Sequence, residues 1–550
     1  MYLKIVRAGK YEYIRLVESY RDGDKISHRV LLNLGRKDVI QGNPSFQRLA
    51  QRLAELSGAK HIAPTETSEG VLKNYGFVVY RRLWELFGLH NLFAKLRQNH
   101  TRLQFDLNAT SLLMVIQHLL GPRSKLSTFS HRHFYLGTPE MNLNHLYRTL
   151  DVLAEHKEEI EGYIFEKNRS LFNMSVDIVF YDVTTFHFES CRDDGFRDFG
   201  FSKANKINEV QIVMGLLVDS EGRPIGYELF PGNTMDSKTL EKSLDKLKER
   251  FTIRKVIIVA DRGLNSKMNL GRIKAKGYDY IVASRLKKMS KTVLDQVFDP
   301  QGYTTSIDFE DEDEKVPFSY KVIDYTNSFR NEAGKLTHLA EKLVITYSAK
   351  RARKDESDRI RLIEKARKLL TNPAKIKASN KRGGKRFIQH KSENNQYSLD
   401  EKAIAADKRF DGYYAIQTSL PDISAEEVVE AYHSLWKIEE SFRIMKSTLE
   451  VRPIFHWTEK RIKGHFVLCF LAFLLERTLE FKLRKTSMPM SPTQIREALN
   501  SLLFAELTMR GQQYLLKMKP THEASKILRL MRIAPPKNMM TMDDAAEFTW

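Results

Sequence analysis

Apolar and polar positions alternate through the first 36 residues. Residues 11–20 and 25–34 read as two strands joined at Asp22-Gly23, a hairpin within a small β unit. Asn43-Pro44 then opens a short helix reaching residue 56, and 58–70 is a polar linker. From about 71 to 170 the spacing becomes helical. Tyr80, Leu83, Trp84 and Phe87 share one apolar face, residues 111–120 form another, and 143–172 a long, charged third. At Ser175 the period returns to two: VDIVFYDVTTFHFE, NEVQIVMGLLVDSEG and RPIGYELFPGN predict three consecutive strands. A helix over 237–251, the strand KVIIVA, a helix over 267–276 and the strand YDYIVASRL come next. The order βββαβαβ predicts a mixed α/β sheet. Within 286–423 short strands (TTSIDFED, PFSYKVIDYT, KLVITYS) surround a basic stretch, residues 461–482 form an apolar helix, and the tail reads as helical and basic.

The stretch SAEEVVEAYHSLWKIEESFRIMKSTLE, 424–450, predicts one long helix. Ser424 and Glu427 are spaced as a capping box, and neither Pro nor Gly occurs between Ser424 and Glu450. Val428, Tyr432, Leu435, Glu439, Phe442 and Lys446 fall on a single face, apolar except for Glu439 and Lys446. A carboxylate on a core-facing stripe is costly unless a metal ion or a hydrogen-bonded partner compensates it.

Charge sharpens the picture. The 550 residues carry a net charge of +20 and a pI near 9.5, which suggests a polyanionic partner, nucleic acid before membrane. Sixteen Lys and Arg against four acids crowd residues 350–391. Two cysteines make neither a disulfide framework nor a zinc set, and the N-terminus has no apolar leader, so a cytoplasmic protein is expected.

Two further carboxylates stand where chemistry is usually placed. Asp182 follows the apolar run Ile178, Val179, Phe180, and Asp261 directly follows VIIVA. Strand ends of an α/β sheet face its functional edge. If the fold brings these two together with Glu439, their mutual repulsion calls for divalent cations, and an all-oxygen set means Mg²⁺ or Mn²⁺. Two such ions would serve phosphoryl transfer on a DNA phosphodiester.

These residues resemble the DDE transposases of bacterial insertion sequences, in the group whose third acid lies in a Tyr-x2-Arg-x3-Glu-x6-Lys signature. Tyr432, Glu439 and Lys446 match it, while Leu435 stands where the signature has Arg. LWKIEESFRIMKSTLEVRPIFHWTEKRIKGH, YDVTT, GFSK, GYELFPGNTMDS and ADRG look closer still to the insertion sequence sixteen-thirty-four subfamily. The resemblance implies an α/β, RNase H-like catalytic core interrupted by a β-rich insertion domain, flanked by an N-terminal β-hairpin and helical DNA-binding regions. The 178 residues separating Asp261 from Glu439 agree with such an insertion. The divisions expected are 1–65 (hairpin and helix), 66–172 (helical, DNA-binding), 173–285 (first half of the core), 286–423 (basic insertion), 424–485 (second half) and 486–550 (helical tail).

The family pattern further implies that Asp182, Asp261 and Glu439 hold two Mg²⁺ ions, with Mn²⁺ able to substitute. It implies partners of double-stranded DNA, as terminal inverted repeats and target, and a homodimer acting at the nucleoid, with no membrane. Tyr432 and Lys446 would touch phosphate near the cut, with core packing the alternative for Tyr432. Glu440, on the next stripe, is the rival third acid and is expected to pair with Arg443 or face solvent. Lys203 and Lys206 lie in a loop that either meets the DNA backbone or is simply solvated. Trp457 and His456 either stack on a frayed base or pack in the core. Arg452 and Arg461 suit phosphate contacts through their forked guanidinium groups, and Lys381, Arg382, Lys385 and Arg386 would track the DNA backbone. Two other functions share these features: a structure-selective nuclease without strand transfer, and an inactive relic that regulates by binding DNA.

Overall fold

The computed structural model describes the chain except residues 24, 57–70, 101–102, 173–176, 189–191, 201–208, 236–237, 241, 246–255, 312–313, 331–333, 372–375, 377–382, 392–395, 452–453, 510–511 and 549. Two compact units form: residues 1–71 with 507–514, and residues 72–506 with 515–550. In the first unit, β1 (Tyr2–Ala8), β2 (Tyr11–Asp22) and β3 (Lys25–Arg36) make an antiparallel sheet in that order, one strand more than the expected hairpin. The helix α1 (Pro44–Leu56) starts at its proline as predicted.

In the second unit helices precede the sheet: α2 (Val78–Leu86), α3 (Leu89–Asn99), α4 (Leu107–Leu120), a short helix over Lys125–His131, α5 (Leu143–Glu155) and α6 (Lys157–Phe172). The meander follows as β4 (Ile178–His187), β5 (Gln211–Asp219) and β6 (Pro224–Pro231). The helix expected at 237–251 falls largely outside the described residues. Then come β7 (Ile257–Ala260), α7 (Lys267–Ala275) and β8 (Asp279–Ala283). Strands β7 and β8 run parallel to β4, so the order β6-β5-β4-β7-β8 joins an antiparallel meander to a parallel pair.

The stretch 286–423 departs from expectation in two ways. Its strands β9 (Thr304–Asp311), β10 (Glu314–Arg330), β11 (Leu336–Tyr347) and β12 (Tyr413–Thr418) continue the same sheet past β8, giving nine strands. Register is fixed where β12 is hydrogen-bonded on both sides, Ile416 facing Ala283 on one and Val344 on the other. The first half of the basic stretch, to which the sequence assigns no element, is a 22-residue helix, α8 (Ala349–Leu370). Its apolar stripe is thin, with Arg359 and Ala366 its buried residues, so the charges hid the periodicity.

The 424–450 helix is also not continuous. It forms as α9 (Ala425–His433) with the predicted Ser424–Glu427 capping box, then α10 (Trp436–Arg443), ending in a π turn over Ile444–Thr448. Finally α11 (Glu459–Lys485), buried over most of its 27 residues, packs against α2, α4 and α5. Gly464 lets it approach α5: a Cβ there would lie 1.9 Å from the Leu150 carbonyl oxygen. The helices preceding the sheet therefore share the large core with α10 and α11. The tail after 485 is not purely helical, since it contains a hairpin, Leu503–Met509 and Gln512–Lys517. Among the described residues no helix is long and apolar enough to cross a membrane.

Candidate active site

Strand periodicity decides which face of the sheet each acid occupies. In β4, Val179, Tyr181 and Val183 point into the core on one side, while Phe180 and Phe186 point into the core that contains α10 and α11. Asp182 shares the parity of the second set. In β7, Ile258 and Ala260 face the first core and Val259 the second, so Asp261, two residues on, follows Val259. The parallel register pairs Val179 with Ile258 and Phe180 with Val259; Asp182 and Asp261 each lie two residues beyond that last pair, Asp261 just past the end of its strand. Both carboxylates are half-buried and already accept backbone N–H groups at 2.7 Å, Asp182 from Val183 and Asp261 from Gly263.

Helix α10 lies on this same face, packed on β4 and β5 through Ile438 and Phe442. Glu439 sits in its first turn. Contrary to expectation it is exposed rather than core-facing, because Ile438 takes the buried position and the seam runs Leu435, Ile438, Phe442, Met445. The break after His433 helps set that register, with Leu435 N–H donating to the Tyr432 carbonyl at 3.0 Å. Glu439 forms no ion pair among the described residues. Glu440 behaves oppositely: it meets Arg477 at 3.0 Å, Arg484 at 3.5 Å and Arg443 at 3.7 Å, the last as expected. Arg477 is 1% exposed and also holds Glu480 at 2.6 Å.

The signature's remaining residues bracket the acids. The Lys446 ammonium donates to Thr184 Oγ1 and lies 5.7 Å over the Phe186 ring, which fixes the end of the α10 segment on β4. Tyr432 is half-buried, its hydroxyl 2.6 Å from that of Tyr414. Burial, then Tyr414 and then Asp261, push the Tyr432 hydroxyl far above its ordinary range, so it stays protonated. Asp261 therefore lies within electrostatic reach of the helix that leads to Glu439. Thr184 and Tyr414 were not foreseen; Thr184 stands inside YDVTT, but Tyr414 carries no sequence signal.

Residues 176–475, over half of the chain, match the family "Transposase DDE domain", and residues 3–65 match "IS1634 family transposase, N-terminal domain". The chain is a DDE transposase of the IS1634 family. No curated protein matches the transposase in sequence. Among solved structures, a cryo-EM structure of a piggyBac transposase synaptic complex with hairpin DNA is similar, with a TM-score of 0.36 and 9% identity over 79% of this chain and 82% of that one.

The transposase distributes its other candidate residues unevenly. Trp457 is 65% exposed, which removes core packing as its role, and Arg197 lies 5.2 Å over its ring. His456 is buried, edge-on to Tyr147. Arg461 is tied to Asp151 at 3.3 Å. Arg386 pairs with Asp407 at 3.0 Å and Lys385 is half-buried beside it. Lys203, Lys206, Lys381, Arg382 and Arg452 lie outside the described residues. Close to Asp261, a cavity of about 380 Å³ has a mixed-charge wall, with Arg262, Lys287, Arg351 and Arg386 facing Asp355, Asp358, Asp407 and Asp411.

Proposed function

We propose that the transposase moves an insertion sequence by cut-and-paste, through metal-dependent DNA cleavage and strand transfer, with Asp182, Asp261 and Glu439 as its carboxylate triad. The observation that supports this reading is the parallel pairing of β4 with β7, each followed two residues past the Phe180–Val259 pair by an aspartate, on the sheet face that a Glu-bearing helix covers. The strand order β6-β5-β4-β7-β8 supports an RNase H-like core, and 286–423 is the insertion that extends it.

The donor set suits a hard divalent ion. All three ligands are carboxylates, and Glu439 keeps its oxygens clear of any cationic side chain among the described residues, unlike Glu440. Two Mg²⁺ ions, with Mn²⁺ as substitute, would supply Lewis-acid stabilisation and an activated oxygen nucleophile there. The backbone N–H groups of Val183 and Gly263 orient the two aspartates. Lys446, seven residues beyond Glu439 and so about 10 Å along the helix axis, holds a phosphate of the strand being cut. Tyr432, protonated and braced by Tyr414, offers that strand a hydrogen bond. The substrate is double-stranded DNA, as terminal inverted repeats and target, bound by a homodimer at the nucleoid.

The test is incubation of the purified protein with the element's own end sequence, target plasmid and Mg²⁺, followed by product mapping. Joined products are expected; breaks without joining would indicate a nuclease. Asp182→Asn, Asp261→Asn and Glu439→Gln should each abolish cleavage while end binding persists. A Glu439→Gln protein that cuts at the wild-type rate would remove Glu439 from the triad.

A further inference from the structure

A cavity of about 400 Å³ lies where the chain leaves the α10 segment, between that exit and the C-terminal end of α4. His118, Arg123, Lys125, His456 and His465 line it, and Glu450 is the one acid on its wall. Lys125 is 4% exposed, yet among the described residues its Nζ has one hydrogen-bond partner, the uncharged His118 Nε2 at 3.3 Å. It forms no ion pair among the described residues. The His118 Nδ1–H is spent on the Leu449 carbonyl at 3.2 Å, and His465 Nε2 on the Val451 carbonyl, also at 3.2 Å. Those carbonyls belong to the residues that directly follow the π turn. Glu450, between them, is exposed and held at a φ of 43°.

Charge inside the cavity is therefore one-sided. Burial holds the imidazoles neutral, with His118 and His456 pushed down to about 3. Burial also lowers Lys125, to about 8, so its ammonium persists at neutral pH without a counter-ion. An enclosed ammonium that lacks an anion is unfavourable. His118, His465 and Cys469 could in principle hold a soft cation, since their donor atoms lie within 4.8 Å of one another. However, Lys125 occupies the His118 nitrogen that such an ion needs, and His465 Nε2 already faces a carbonyl.

We propose that this cavity is an anion site that takes a phosphate group, and that in the working protein this is a terminal phosphate of the DNA strand beside the Glu439 helix. Arg123 at the mouth and Lys125 within supply charge-assisted hydrogen bonds to the anion, while His118 serves to position Lys125. The DNA half of the proposal rests on the function proposed above.

The experiment compares a trinucleotide bearing a 5′-phosphate with its unphosphorylated twin, bound to the full-length protein in EDTA. EDTA disables the carboxylate site, so this binding can fail while the triad substitutions behave as stated, and the reverse. The phosphate should tighten binding about tenfold in the wild type, and Lys125→Met should erase the preference. Inorganic phosphate alone should shift the imidazole NMR signals of His118 and His456, a measurement that stands even if Lys125→Met fails to fold. Equal affinity for the two trinucleotides would overturn the DNA source, leaving at most a free-phosphate site if the imidazole signals still move. Unmoved imidazoles, a preference that survives Lys125→Met, or one tightly held zinc per chain would overturn the anion site itself.

Discussion

Glu439 and Glu440 are adjacent acids with opposite surroundings, and they should fail differently when neutralised. Glu440 compensates Arg477, a guanidinium with 1% of its surface exposed. With Glu440 neutralised, Arg477 keeps Glu480 but loses a charge-assisted hydrogen bond, at about 1.5–3 kcal/mol. Glu440→Gln should therefore lower the thermal midpoint measurably, whereas Glu439→Gln, on an exposed turn, should leave it unchanged. Lys446 calls for a separate experiment. Its ammonium donates to Thr184 Oγ1. Thr184→Val would remove that hydrogen bond, while Lys446→Ala would remove the proposed phosphate contact. End binding, measured by mobility shift, should weaken with Lys446→Ala, recover in part with Lys446→Arg, and hardly respond to Thr184→Val.

At the scale of elements, α11 carries acids through the core as well as apolar bulk. Burial pushes the Glu476 carboxyl up to about 8, opposed by the Tyr80 hydroxyl that donates to its Oε2 and reinforced by Glu480. Its Oε1 has no hydrogen-bond partner among the described residues, which suits a protonated group. Because the folded value lies above the ordinary 4.5, the native state binds the extra proton between about pH 4.5 and about pH 8, and stability falls as pH rises through that window. The urea midpoint should drop between pH 6 and pH 8, and Glu476→Gln should shrink that drop. The helix itself was plain in the sequence, as were the meander and the strand before Asp261, because their apolar runs are long and bounded by turns. The stripe that placed Glu439 in the core was misleading. Positions 438 and 439 both fit the spacing from Leu435 to Phe442, and hydrophobicity rather than spacing chose Ile438. The basic helix α8 was hidden for the complementary reason: with so little of it buried, no stripe announces it.

For the whole molecule, the net charge of +20 leaves the location of the DNA track open. The extended sheet narrows it, since α8 presents Arg353, Lys354, Arg361, Lys365, Arg367 and Lys368 to solvent in the second unit. Replacing Lys381, Arg382, Lys385 and Arg386 together by Ala should flatten the slope of log K against log salt by about 0.9 for each phosphate no longer neutralised. Arg386, already paired with Asp407, should contribute less than an unpaired arginine would. Replacing exposed α8 cations should flatten it further, and a slope indifferent to both sets would mean these charges only keep the surface solvated.

The continuity of the nine strands also limits how the protein can be cut down. Strand β8 (DYIVA) is covered on one side by β7 and on the other by β12, which lies 130 residues later in the chain. A truncation that excises 286–423 to isolate the three acids would strip that second neighbour. The bared edge is apolar, lacks Pro or Lys, and would present its N–H and C=O groups to any other chain. Such a minimal protein should sediment as aggregates rather than as a smaller monomer, and limited proteolysis within 286–423 should nick the full chain without releasing a separable fragment.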